Sequence, residues 1–310
     1  MGGQIVALLA STSRETLLMS RKQSSIDATM KNIQRYLEDL NRFELLPQSP
    51  AKVLENIRTT TSLEEAATNS ELVIESITED IDAKKKIFKR LDQITGHDAL
   101  LTSNTSGFPI TKLAQGTQYP ERIVGSHFIQ PAHIVPLVEV VKGDKTSDET
   151  VQRSSNIWRA MGKSPLVVNI DIPGFILDRI QQAMVREAVF LLAQGAAKTE
   201  DIDLAITLGL APRLTISGPL EQRDINGIDV NYRTAKHLWK QLGGWKVPLN
   251  FLERKVKRGE LGLNYGKGYY DWTGKDPAKI RRARDEALIQ CLREVAKRRP
   301  TGDQKAIRAL

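Results

Sequence analysis

The sequence is short of sulfur, histidine and long apolar runs, and each shortage removes a class of function. One cysteine, Cys291, stands among 310 residues. An intrachain disulfide and a cysteine-held metal cluster are thereby excluded, and a reducing compartment is expected. The four histidines, His97, His127, His133 and His237, are scattered at no spacing that suits metal ligation. No apolar run approaches the roughly 18 residues a membrane span needs. No basic-then-apolar signal segment opens the chain. These absences, with 40% hydrophobic and 26% charged residues, predict a globular cytoplasmic protein with no metal and no membrane partner.

What is there begins with charge. The formal net charge is +8, yet Thr273–Leu310 alone holds eleven Lys/Arg and five Asp/Glu, a net of +6. Most of the excess therefore lies outside the expected core. That segment opens with Asp276-Pro277, suited to the N-cap and first position of a helix. Ala283, Ala287, Ile289, Leu292 and Val295 supply one apolar face for it. A basic amphipathic helix docked on the second domain is expected here, not a nucleic-acid site, because the aromatics that stack on bases are missing.

Over the first half, strand and helix patterns alternate. "ETLLMS" (15–20), "SELVIESI" (70–77), "DALLTSN" (98–104), "ERIVGSHF" and "VPLVEVVKG" read as strands. "SSIDATMKNIQRYLEDLNRFELL" and "DAKKKIFKRLDQI" read as helices. This alternation predicts an α/β fold with a parallel, doubly wound sheet. Ligands of such sheets bind at the strands' carboxyl ends, here near Ser20, Glu75 to Glu79 and Ser103 to Ser106. Past Pro173-Gly174 only helical patterns follow. Three parts are expected: residues 1–172, a helical part at 173–272, and a basic helix and tail at 273–310.

The stretch "SHFIQPAHIVPLVEVV" (126–141) raises the functional question. His127 stands at the edge of one apolar strand, and Glu139 is a lone carboxylate inside the next. A buried Glu without a partner is costly, so the pattern asks for one. A structural ion pair or an outward-facing Glu would also satisfy it.

"LVIESITEDIDAKKKIFKRLD", "SNTSGFPI", "GSHFIQPAHIVPLVEVVKG", "DIPGFILDR" and "GLNYGKGYYDW", in this order, resemble the 3-hydroxyacyl-CoA dehydrogenase family across essentially the whole chain. The resemblance implies a Rossmann-like domain, then an all-helical domain that usually forms a homodimer contact. It implies oxidation of the 3-hydroxyl of an L-3-hydroxyacyl-CoA with NAD or NADP. His127 matches the family's base and Glu139 its partner, which fixes the tautomer and stabilises the imidazolium. Ser106 matches a serine that bonds the reacting oxygen beside the nicotinamide; a helix cap before "FPITKLA" is its plainer reading. Glu79 and Lys84 match positions near the cofactor's ribose and nicotinamide end. Without the resemblance both read as solvated charges at a helix start. His133 and His237 have no counterpart role, and His97 reads as a turn residue.

Three departures matter. The chain opens "MGGQIVALLAS", so Gly2 aligns with the last glycine of the family's phosphate loop, while its first strand and earlier glycines are missing. A start internal to a longer chain is the expectation; a degenerate, crystallin-like, non-catalytic relative is the alternative. Next, Ser20 stands where the family usually has an Asp that binds the adenine ribose. With Arg21 and Lys22 beside it, a 2′-phosphate is favoured, which tips the expected cofactor slightly from NAD to NADP. Finally, Gln130, Asp178 and Asn264 replace family residues around the substrate and C-terminal motif. Arg213 resembles an Arg of relatives that act on free hydroxy acids. Hydroxyacyl-CoA and free 3-hydroxy acid therefore both stay open.

Overall fold

Strands that are apolar on both faces need cover on both faces, and the computed structural model shows how the chain provides it. It describes residues 1–244 and 250–298. The first unit spans Met1–Arg179. It runs α1 (Gly2–Ser11), β1 (Thr16–Met19), α2 (Gln23–Arg42), α3 (Pro50–Leu54), β2 (Ile57–Thr60), α4 (Leu63–Ala67), β3 (Leu72–Glu75) and α5 (Ile81–Ile94). β4 (Leu100–Ser103), α6 (Ile110–Leu113), β5 (Ile123–Phe128), β6 (Leu137–Val141), α7 (Asp148–Ala160) and β7 (Ser164–Val168) complete it.

β1 pairs with β2, and a second sheet has the order β3-β4-β5-β6-β7. No ladder joins β1 to β3 among the described residues. α1 spans that interval instead. Its Ile5 and Leu8 pack with Leu100, Val124 and Val138, while its Val6, Ala7 and Ala10 pack with Leu18, Ile26 and Ile33. On the sheet's other face, Leu101, Ile123 and Val141 meet Phe88, Leu91 and Ile110. Neighbours such as Leu100 and Leu101 thus serve opposite faces, as a pleated strand requires.

The sheet departs from the expected all-parallel pattern at one place. β5 and β6 are antiparallel, and the other pairs are parallel. Residues 129–136 are too few for the crossover of a dozen or more residues that a parallel pair needs, so the chain turns straight back. Gly125 lets the two strands close, because a Cβ there would stand 2.7 Å from the Val141 Cβ. β2 escapes sequence reading: "IRTT" carries only Ile57 as a large apolar residue, and Arg58 and Thr59 are exposed.

α8 (Leu177–Ala193) carries the chain across the boundary into a second unit that starts at Ile180. It continues with α9 (Thr199–Leu204), α10 (Ala211–Leu214), α11 (Pro219–Asn226), α12 (Ile228–Leu238), α13 (Asn250–Lys257) and α14 (Pro277–Arg298). This unit has little interior of its own. Val189 and Ile289 are its buried hydrophobic residues among those described, while Leu220 is 81% exposed and Trp239 70%. α14 is the basic helix expected at 273–310; the tail from 299 lies outside the described residues. No described helix is long and apolar enough to cross a membrane.

Candidate functional site

The twelve-residue separation of His127 and Glu139 is explained by register. The two are direct cross-strand partners on β5 and β6. Alternation puts both on the face that carries Ile123 and Val141. His127 Nδ1 lies 2.8 Å from Glu139 Oε2, with His127 4% exposed and Glu139 fully buried. The other carboxylate oxygen, Oε1, accepts from the backbone N–H of Ile176 (3.0 Å) and Leu177 (2.9 Å). Burial on its own would raise the Glu139 carboxyl. The His127 hydrogen bond and those two N–H donors outweigh it and hold the group below the usual carboxylate range. An ionised Glu139 assigns the proton of neutral His127 to Nδ1. Nε2 then carries the free lone pair, and it has no hydrogen-bond partner among the described residues. The buried Glu thus has its partner, and neither an exposed strand carboxylate nor a solitary one is present.

A second cluster forms at the carboxyl ends of β3 and β4. The expectation of solvated charges fails for Lys84, which is 1% exposed. Its Nζ sits 2.7 Å from Glu75 Oε1 and 3.3 Å from Glu79 Oε2. Glu75 also accepts from Ser103 Oγ (2.6 Å) and from Ile77 N (2.7 Å). Glu79 remains partly exposed, accepts from Thr105 Oγ1, and takes the Ser106 N–H at 3.2 Å. Ser106 itself is exposed and does not cap α6. That role falls to Asp171, whose two oxygens accept from Ile110 N (3.0 Å) and Thr111 N (2.7 Å). Asn104 ties the two clusters together: its Oδ1 accepts from Phe128 N (2.9 Å), next to His127.

The remaining candidates are more dispersed. Gly2 opens α1 beside the end of β3; a Cβ there would meet Ser76 Cβ at 4.0 Å. α1 has no side-chain cap, and its first helical bonds start from Gln4 N and Ile5 N, so the Gly2 and Gly3 N–H groups stay open. Ser20 directly follows β1, half-buried, its N–H on Thr60 O at 3.3 Å. Arg21 and Lys22 are exposed and form no ion pair among the described residues; α2, starting just after them, has no side-chain cap and no acidic residue in its first turn. Such helix ends suit phosphate oxygens. Gln130 is exposed on the β5–β6 connection, and Asp178 is half-buried in the first turn of α8. Arg213 belongs to the second unit, where it is exposed and gives Nε to Gly209 O (2.9 Å). Asn264 is exposed there as well and accepts from Arg281 (2.5 Å). His133 packs against Tyr36 with ring centroids 4.7 Å apart, while His97 and His237 are exposed. No cluster able to hold a metal occurs among the described residues.

Comparison with known proteins bears directly on this arrangement. Residues 1–172 match the family described as "3-hydroxyacyl-CoA dehydrogenase, NAD binding domain", and residues 174–272 match its C-terminal domain. The chain belongs to the 3-hydroxyacyl-CoA dehydrogenase family. A 3-hydroxybutyryl-CoA dehydrogenase of Clostridioides difficile is 33% identical over 275 residues, covering 88% of this chain and 96% of that one. A 5-formyl-3-hydroxy-2-methylpyridine 4-carboxylate 5-dehydrogenase of Mesorhizobium japonicum is 32% identical over 240 residues, 77% of this chain and 78% of its own. The crystal structure of an enzyme of that last activity, described as an NAD+-dependent dismutase, superimposes with a TM-score of 0.89 at 29% identity over 96% of both chains.

Within this 3-hydroxyacyl-CoA dehydrogenase family member, sequence reasoning passed over several supporting groups. Asp171 and Asn104 had weak signals: an isolated acid in "NIDIPGF", and the only amide at the end of β4. The backbone donors of Ile176 and Leu177 had none, because an N–H carries no letter of the sequence.

Proposed function

We propose that the protein is an NAD(P)-dependent dehydrogenase that oxidises the 3-hydroxyl of an L-3-hydroxyacyl-CoA, or of a free 3-hydroxy acid, to the 3-oxo compound. The observation that carries this reading is the buried His127–Glu139 pair, which leaves Nε2 unpartnered among the described residues. His127 Nε2 takes the hydroxyl proton, and Glu139 holds the ring and stabilises the imidazolium. Ser106 offers its exposed hydroxyl to the reacting oxygen, and Gln130 and Asp178 line the substrate side. A bound nicotinamide dinucleotide supplies the hydride acceptor.

The residues present fit that group. The open N–H groups of α1 at Gly2 suit the pyrophosphate, Ser20 with Arg21 and Lys22 the adenine ribose, and Glu79 and Lys84 the nicotinamide end. The uncapped start of α2, with Arg21 and Lys22 unpaired beside it among the described residues, supports NADP over NAD. A thioester and a free carboxylate both remain available as the handle, Arg213 being suited to the second. A non-catalytic relative would have no need of an intact His–Glu pair. The exposed apolar residues of the second unit support a homodimer.

The test is His127→Gln, assayed with (S)-3-hydroxybutyryl-CoA and with free (S)-3-hydroxybutyrate. The expected result is a fall in kcat/KM of about 10²-fold or more, the range for a lost general base, with the dinucleotide Kd within twofold of the unmodified protein. Unchanged turnover would sink the assignment.

A further inference from the structure

We infer that the turn Pro173–Leu177 is the positioning device of the His127–Glu139 pair, with Phe175 as its central residue. This rests on the acid–base role given to His127 above. Three observations converge on the turn. Both backbone N–H groups at its far end, of Ile176 and Leu177, point at Glu139 Oε1. Phe175 is fully buried and holds a positive φ of 47°, a conformation uncommon for a bulky side chain. Its ring lies 5.7 Å from the His127 ring, tilted by 59°. Around it, Gly174 has φ 76°, Phe175 N donates to Ile172 O (3.1 Å), and Arg179 closes the turn through Gly174 O (3.1 Å) and Pro173 O (3.2 Å).

The chemistry of this arrangement is a division of charge. A carboxylate whose only partner was an imidazole would give that ring its full attraction and make it a stronger base. Glu139 instead shares its charge with the N–H of Ile176, just before α8, and of Leu177, its first residue, at the positive end of the helix. The turn therefore moderates how strongly Glu139 draws a proton onto His127, and keeps the carboxylate from rotating. Phe175 fixes the ring that receives the contact.

Other ionisable groups nearby do not compete. Asp171 is occupied at the start of α6, and Arg179 at Pro173 O. Asp178 sits on the first turn of α8 and Lys163 bonds two carbonyls; neither pairs with His127 or Glu139. On α5 and α6, which cover this face, Lys84 pairs with Glu75 and Glu79, Asp92 with Arg122 and Arg90 with Glu64, Lys85 bonds Gln115, and Asp82, Lys86, Lys89 and Lys112 are exposed. His133 stacks on Tyr36.

Leu177→Pro deletes one of the two donors at the first helical position, where proline is otherwise well tolerated. Leu177→Ala shortens the side chain and keeps the N–H. The readout is the titration of the His127 ring protons by NMR, assigned by comparison with His127→Gln, together with the acidic limb of kcat/KM. Leu177→Pro is expected to move the His127 titration upward by about half a pH unit or more, as loss of a hydrogen bond to a charged group implies. Leu177→Ala is expected to leave it in place. A second variant, Phe175→Gly, suits the positive φ and removes the ring; it is expected to lower kcat more than it changes KM and to move the titration the same way. Equal titration in Leu177→Pro and Leu177→Ala, or an unmoved titration in Phe175→Gly where Leu177→Pro does not fold, overturns the inference. The NMR readout needs no turnover, so a failed substrate assignment would be seen separately.

Discussion

Lys163 shows what one buried side chain can impose. It is 4% exposed, and its Nζ donates to Ala132 O (2.7 Å) and Val135 O (2.8 Å), with no carboxylate partner among the described residues. Both carbonyls lie in the connection between β5 and β6, so this lysine pins the loop that joins His127 to Glu139. Burial, unopposed by any negative charge, lowers its pKa from 10.5 to about 7. The folded protein then binds fewer protons than the unfolded chain between about pH 7 and 10.5. Its stability contribution therefore rises with pH across that window, and the penalty is complete below it. The gap corresponds to something on the order of 5 kcal/mol. In urea unfolding at pH 7, 8 and 9, Lys163→Met is expected to be less stable at pH 9, since two carbonyls lose their donor at about 1–3 kcal/mol each. It is also expected to lose a positive slope of up to about 1.4 kcal/mol per pH unit. Parallel slopes in the two proteins would contradict a titrating Lys163.

At the scale of elements, the sequence showed the longer amphipathic helices and most strands because each carried a period, but not α1 or α7, which were not read as helices. β3, β4, β5 and β6 were legible as apolar runs bounded by polar turns, and α2 and α5 as amphipathic stretches. β2 was not, since "IRTT" has no such run. The direction of β6 was overlooked, although the short connection 129–136 already required reversal. In the site, the sequence revealed His127 and Glu139 through their rarity on apolar strands. It could not show that Lys84 is buried, because an ion pair with Glu75 depends on which helix face meets the sheet. The proposed preference for NADP is also a matter of element geometry. A 2′-phosphate at the start of α2 would meet open N–H groups, Arg21 and Lys22 together. A contact of this kind is worth roughly 1.5–3 kcal/mol, about one to two decades in affinity. Fluorescence titration is expected to show tighter NADPH than NADH binding, with Arg21→Ala and Ser20→Asp each reversing part of the ratio. A tenfold preference for NADH in the unmodified protein would end that reading.

The whole molecule joins a unit with a packed interior to one that has little of its own among the described residues. Leu208, Leu220, Ile225 and Trp239 are each at least 70% exposed, more than a stable isolated helical unit leaves to water. A second copy of the chain is the expected cover. Sedimentation is expected to give twice the chain mass of 34.6 kDa at micromolar concentration, falling toward one on dilution or in Leu220→Lys with Ile225→Lys. A single-chain mass at every concentration would refute it. The β5–β6 hairpin has a consequence of a different kind, in the order of assembly. Its partners close over residues 129–136 only, so the entropy lost in bringing His127 to Glu139 is small, and hairpins form within about 1–10 μs. The parallel pairs must wait for their crossover helices. The donors of Ile176 and Leu177 arrive later still, once β7 and the turn after it are in place. The contact on which the proposed chemistry depends is thus among the first the chain can make, and among the last it completes.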